Sequence, residues 1–74
     1  MVWSVRLFAY LKDGRGDAVQ VEAEPTAGAV LAALGALGLP VASCRLAVNQ
    51  SFASASLALA AGDELALIPP VSGG

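Results

Sequence analysis

At 74 residues with one cysteine and no histidine, the chain has room for one domain, near the lower size limit at which a core holds without staples. It offers no internal disulfide, no Ser-His-Asp or Cys-His catalytic unit and none of the usual zinc sites. Four basic and six acidic residues leave a net charge of −2 with no basic cluster along the sequence, so nucleic acid and anionic membranes are poor partners.

Hydrophobic residues make up 57% of the chain, and many are alanines, which suit the close packing of short elements. A small domain without disulfides fits a reducing cytoplasm. The uncharged stretch Pro25–Cys44 does not read as a membrane span. It is mostly Ala and Gly, its leucines are Leu31, Leu34, Leu37 and Leu39, and Gly28, Gly35, Gly38 and Pro40 interrupt it. Arg6 splits the first apolar run and no clear cleavage site follows, which argues against a signal peptide.

Val2–Leu11 alternates as a strand. Val5, Leu7 and Ala9 are expected to face the core, with Leu11 on the same side and Ser4, Arg6, Phe8 and Tyr10 on the other. Phe8 is the odd member of that second face. Lys12–Asp17 is polar, contains Gly14 and Gly16, and reads as a solvated hairpin loop; its GxG spacing lacks the helix that phosphate binding requires. Ala18–Ala23 alternates again as a second strand, antiparallel to the first, with Val19 and Val21 on one side.

Thr26 is placed to cap a helix over Ala27–Leu37, whose apolar face is Val30, Leu31, Leu34 and Leu37. Gly38 closes it and Pro40 follows. Gly28 and Gly35 inside the helix predict close packing on a sheet. Cys44–Asn49 is a third strand with Leu46 and Val48 inward, and Asn49-Gln50-Ser51 is a turn. Phe52 sits at the edge of that turn. Ser54–Ala61 is weakly patterned, with Leu57 and Leu59 as expected anchors. After the turn Ala61-Gly62-Asp63, Glu64–Ile68 is the last strand, Leu65 and Leu67 facing in, Ala66 and Ile68 out.

These elements predict an α+β layer, one mixed sheet of about four to five strands with one main helix across one face. The nearly continuous apolar run Leu65–Ile68 suits a strand between neighbours. Residues 1–68 form the domain. Pro69 and Pro70 end pairing and direct residues 69–74 away as an extended tail, and Gly73 and Gly74, lacking Cβ atoms, leave a terminal carboxylate unshielded. The Gly-Gly end has two readings, a reactive tail and an ordinary small-residue terminus.

The order of elements, Val48-Asn49-Gln50, Leu57, Gly62-Asp63-Glu64 and the ending Ile68-Pro69-Pro70-Val71-Ser72-Gly73-Gly74 resemble the small subunit of molybdopterin synthase. The resemblance runs the whole chain and implies the ubiquitin-like β-grasp fold. It implies a non-catalytic sulfur-donor subunit that binds no cofactor itself. A ubiquitin-activating-type enzyme would use ATP to adenylate Gly74, with Gly73 beside it, and a sulfur donor would convert the adenylate to a thiocarboxylate. The tail would then enter the large synthase subunit, in a heterotetramer, and pass sulfur to a cyclic pterin precursor of the molybdenum cofactor. Phe8, Phe52, Ile68, Pro69, Pro70, Val71 and Ser72 would face that partner.

Other readings stay beside this one. Phe52 is either part of a docking patch with Phe8 and Ile68 or the cap of a small second core. Cys44 has only Arg45 as a charged neighbour in sequence and no histidine to activate it, which favours a passive thiol over a sulfur carrier. Asp63 and Glu64 point to opposite faces and serve the turn and surface better than an acid–base pair. Arg6, Lys12 and Arg15 either meet acidic groups of the activating enzyme or are solvated. A ubiquitin-like protein modifier, or a sulfur carrier for another pathway such as thiamine, would use the same tail.

Overall fold

The computed structural model of the protein describes residues 1–70, and the expectations for Val71, Ser72, Gly73 and Gly74 lie outside them. Five strands, β1 (Val2–Leu7), β2 (Ala18–Glu22), β3 (Arg45–Val48), β4 (Ser51–Phe52) and β5 (Leu65–Ile68), form one mixed sheet in the order β2-β1-β5-β3-β4. Helix α1 (Ala27–Ala36) is the main helix. This is the α+β, ubiquitin-like β-grasp arrangement. The last strand occupies the centre, parallel to β1 and antiparallel to β3.

Period-two alternation places Trp3, Val5 and Leu7 of β1, Val21 of β2, Leu46 and Val48 of β3, and Leu65 and Leu67 of β5 in the core, where Val30 and Leu34 of α1 join them. Trp3 also donates from its indole Nε1 to the Ala23 carbonyl at 3.1 Å, so its one polar atom is satisfied.

The first strand is shorter than its alternation suggests. It ends at Leu7, whose N–H donates to Asp17 O (2.8 Å); beyond this point β2 has not begun and β5 runs into Pro69, which has no N–H to offer. The chain instead turns through a 3₁₀ segment, Ala9–Lys12. Ala9 takes a φ of 53° and is exposed rather than inward. The turn swings Leu11 back beneath the sheet, where it is 1% exposed.

Helix α1 contains no polar residue, so its faces differ in size rather than polarity: Val30 and Leu34 are fully buried while Ala32 and Ala36 face outward. All four of its unpaired N-terminal N–H groups find acceptors. Thr26 donates to Glu24 O (2.7 Å), Ala27 to Leu57 O (3.0 Å) and Gly28 to Ala55 O (2.8 Å), while Ala29 donates to the Thr26 hydroxyl (3.2 Å). At the other end Gly38, at φ 95°, donates to Gly35 O (2.9 Å) and Leu39 donates to Leu34 O (3.3 Å), the paired bonds of a Schellman closure.

Two further expected core positions are exposed. Leu37 ends α1 as its C-cap and is 53% exposed; it is Leu39, two residues on, that turns inward. Leu57 is likewise exposed because the connection from Ala53 to Leu59 runs along the helix N-terminus and serves it with carbonyls, leaving Leu59 as the anchor. The helical glycines are also explained differently. A Cβ on Gly28 would lie 3.0 Å from Ala55 O, and one on Gly35 would lie 3.2 Å from Val41 Cγ2. Both allow close approach, to connecting segments rather than to the sheet. Among the described residues no helix is long and apolar enough to cross a membrane.

Candidate functional site

The side chains of the sheet that point away from α1 form the other face. Register places Arg6 beside Ala66, Ala66 beside Ala47, and Ala47 beside Phe52, while Arg45 stands beside Ile68. Ala47 and Ala66 are too small to fill their places, and larger side chains rise around them. The result is an open concavity of about 350 Å³ bordered by Phe8, Phe52, Ile68, Arg6, Gln50 and Glu64. Ala47 is its floor, which explains why a residue on the outer face is buried.

Phe8, Phe52 and Ile68 thus share one surface beside the point where β5 leaves the sheet. Phe8 is 40% and Phe52 54% exposed, so neither caps a second core. Pro69 follows β5 directly, half-buried, and Pro70 is exposed. Two aromatic rings carry cations. The Arg45 guanidinium carbon lies 3.9 Å from the centroid of Phe52, and that of Arg6 lies 5.7 Å from Phe8. The sequence offered Arg45 only as the charged neighbour of Cys44; its place as a cation on the outer face, in the strand that pairs with Ile68, appears only once register is known.

The shape of the concavity depends on a tight turn. β3 and β4 are joined by Asn49-Gln50 alone, both at positive φ (51° and 70°), a type I′ geometry that matches the twist of a hairpin. Asn49 locks it to the start of β5: its N–H donates to Glu64 O (2.8 Å), its Oδ1 accepts from Glu64 N–H (3.0 Å) and its Nδ2 donates to Asp63 Oδ1 (3.1 Å). Asp63 Oδ2 accepts from Ala60 N–H (2.8 Å). That backbone bond, then the Asn49 amide, hold the Asp63 carboxyl below the usual range. Asp63 is therefore a turn residue rather than an acid or base. Cys44 is a half-buried free thiol, and Lys12 and Arg15 lie in the exposed loop between β1 and β2, where Lys12 pairs with Asp17 at 3.6 Å.

A mixed sheet whose last strand is central, with one helix across one face and an open concavity on the other, defines a ubiquitin-like β-grasp protein. The ThiS family model matches residues 5–74. The chain belongs to the ThiS family, within the small ubiquitin-like sulfur carriers. SAMP1 from Haloferax volcanii is similar at 32% identity and a TM-score of 0.74, with 100% of each chain covered. A second structure of the H. volcanii small archaeal modifier protein 1 matches at 30% identity and TM-score 0.72, covering 95% of this chain and 98% of that one. A complex of subunits 1 and 2 of the molybdopterin-converting factor from Helicobacter pylori contains a chain 26% identical, with a TM-score of 0.72 and 100% coverage of both chains.

Proposed function

We propose that this chain is the sulfur carrier subunit of a molybdopterin synthase, bearing sulfur as a thiocarboxylate on Gly74. The observation that carries this reading is the placing of β5. The strand that leads to Pro69-Pro70-Val71-Ser72-Gly73-Gly74 is gripped by a neighbour on each side and leaves the sheet next to an exposed apolar concavity. Such a base fixes the direction of a chain end while a partner holds the domain beside it. The similarity to a chain in the H. pylori converting-factor complex supports a large-subunit partner.

In this scheme a Gly74 carboxylate oxygen attacks the α-phosphorus of ATP, held by a ubiquitin-activating-type enzyme, and pyrophosphate leaves. Hydrosulfide released by a sulfur donor attacks the carbonyl carbon of the resulting acyl adenylate, AMP departs with the bridging oxygen, and loss of the proton on sulfur leaves the thiocarboxylate. The large subunit receives Val71, Ser72, Gly73 and Gly74, and Phe8, Phe52, Ile68, Pro69 and Pro70 meet its surface. Sulfur then passes to a cyclic pterin precursor. A second reading, favoured by the similarity to small archaeal modifier protein 1, joins Gly74 to protein lysines after the same adenylation. A carrier for thiamine or another sulfur metabolite differs only in the recipient.

The test is the mass of the C-terminal peptide after incubation with ATP, the adenylating enzyme and a sulfur source, beside a variant lacking Gly74. Carriage predicts replacement of one oxygen by sulfur, localised to Gly74 and absent from the truncated variant. Localisation matters because oxidation of Met1 adds nearly the same mass. An unmodified tail with an active enzyme overturns the reading, and Gly74 linked to lysine establishes the modifier instead.

A further inference from the structure

The sheet ends in two unequal edges. β4 is 2 residues long, while β2 has 5 in an unbroken register against β1. Backbone geometry fixes which of the β2 groups are already paired. Met1 and Ala23 exchange both of their bonds (3.2 and 3.0 Å), and Leu7 N–H donates to Asp17 O. In an antiparallel ladder with that phase the odd-numbered residues of β2 bond to β1 and the even-numbered ones turn outward. The N–H and C=O groups of Ala18, Gln20 and Glu22 therefore line the free edge, and all of these residues are exposed.

Exposed edges are ordinarily blunted by lysine, proline or a bulge. Ala18-Val19-Gln20-Val21-Glu22 contains none of these and is instead complementary to itself. A two-fold axis through Gln20 sets Ala18 opposite Glu22 of a second copy, Gln20 opposite its own counterpart and Glu22 opposite Ala18, so that every outward backbone group meets another outward group. No like charges face each other. On the helix side Val19, only half-buried against the core, comes to lie opposite Val21 of the second copy.

The outer face adds a match of charge. Arg6 of β1 stands beside Ala18, and Ala18 would stand beside Glu22 of the second copy. The two long side chains then approach over a methyl group from strands about 10 Å apart. Among the described residues the one ion pair is Lys12–Asp17, at 3.6 Å. Arg6 and Glu22 have no ionic partner within the chain, whereas Asp17, the carboxylate that precedes this edge, is already matched. We propose that β2 is a self-association edge, through which two copies of this chain pair antiparallel into one continuous sheet. A second copy fits better than an unrelated strand because the outward groups, the valines and the Arg6–Glu22 charges are all matched by a single two-fold. β1 lies between the junction and β5, and the antiparallel pairing points the β5 strands of the two copies to opposite ends of the joined sheet. So short an edge makes a weak, transient dimer, populated at high concentration.

The experiment combines sedimentation velocity with residue-resolved amide hydrogen exchange on the full chain, from about 10 μM to about 1 mM. In the dilute chain Val19 and Val21 are expected to be protected and Ala18, Gln20 and Glu22 to exchange freely. At high concentration the sedimentation coefficient rises and protection spreads to the outward amides. Gln20→Lys, which sets like charges against each other on the axis, weakens the dimer roughly fivefold. Arg6→Glu and Glu22→Arg each weaken it, and the two together restore it. A separate arm adds an unrelated extended peptide of alternating valine and threonine to the dilute chain.

A chain that stays monomeric at about 1 mM overturns the proposal, as does a dimer indifferent to Gln20→Lys. New protection at Phe52 or Leu37 in place of the β2 edge overturns it in favour of a face. Equal protection by the unrelated peptide shows an unselective edge and removes the second copy as its occupant. A charge reversal that fails to restore the dimer refutes the register. Continued protection of Val19 and Val21 in Gln20→Lys establishes that a lost dimer is not a lost fold. None of these outcomes depends on the chemistry of Gly74, so the proposal stands or falls apart from sulfur carriage.

Discussion

Asn49 joins two turns through the three hydrogen bonds to Glu64 and Asp63, and Asp63 closes its own turn on Ala60. Both Asp63 contacts favour the ionised carboxylate, so its folded pKa lies below its unfolded value. The stability it contributes is fully present above the unfolded pKa and is lost as pH falls through the lower folded one. Asp63→Asn is therefore expected to flatten the acid limb of stability below the usual aspartate range. Urea unfolding at several pH values checks this, and parallel curves for the two chains would count against it. The turn at Asn49 was legible because asparagine tolerates positive φ; its partners, fourteen and fifteen residues away, were not.

The helix shows how one residue type answers two different demands. A methyl group on Gly28 would press on Ala55 O, the carbonyl that accepts the Gly28 N–H. That oxygen cannot retreat without loosening the bond, and overpacking costs roughly 1–3 kcal/mol, more than the gain of about 1 kcal/mol in helix propensity. On Gly35 the same methyl would meet only the end of the Val41 side chain, which can turn away. Gly28→Ala is expected to lower stability by about 1 kcal/mol and Gly35→Ala to raise it by up to about 1 kcal/mol, as read by chemical denaturation. Like signs for the two would refute this account. Strands β1, β2 and β5, and the cap at Thr26, were readable from alternation and capping chemistry. The connection from Ala53 to Leu59 was not, because it serves the helix through backbone carbonyls, which every residue possesses.

At the scale of the whole molecule, the strand order turns scattered features into a site. Phe8, Phe52 and Ile68 were visible as misplaced apolar residues, but their meeting on one face required the pairing of β5 with both β1 and β3. The same centre carries the stability. Leu67 is fully buried on the middle strand, and Leu67→Ala is expected to remove about 2–5 kcal/mol. In a domain whose total is on the order of 5 kcal/mol, much of the population would unfold near physiological temperature. A variant that melts with the parent would show that the core tolerates the void.

The central place of β5 also orders the folding of the domain in time. The β1–β2 and β3–β4 hairpins close locally, whereas β1 meets β5 only after a loop of nearly the whole chain has closed, an entropically late event. Until then Ala66 is not beside Ala47, the concavity has no floor, and Arg6 and Arg45 belong to separate pieces. A partner that reads the completed face therefore inspects the fold before it takes the chain end, and an unfolded copy of the same sequence presents nothing for it to grip.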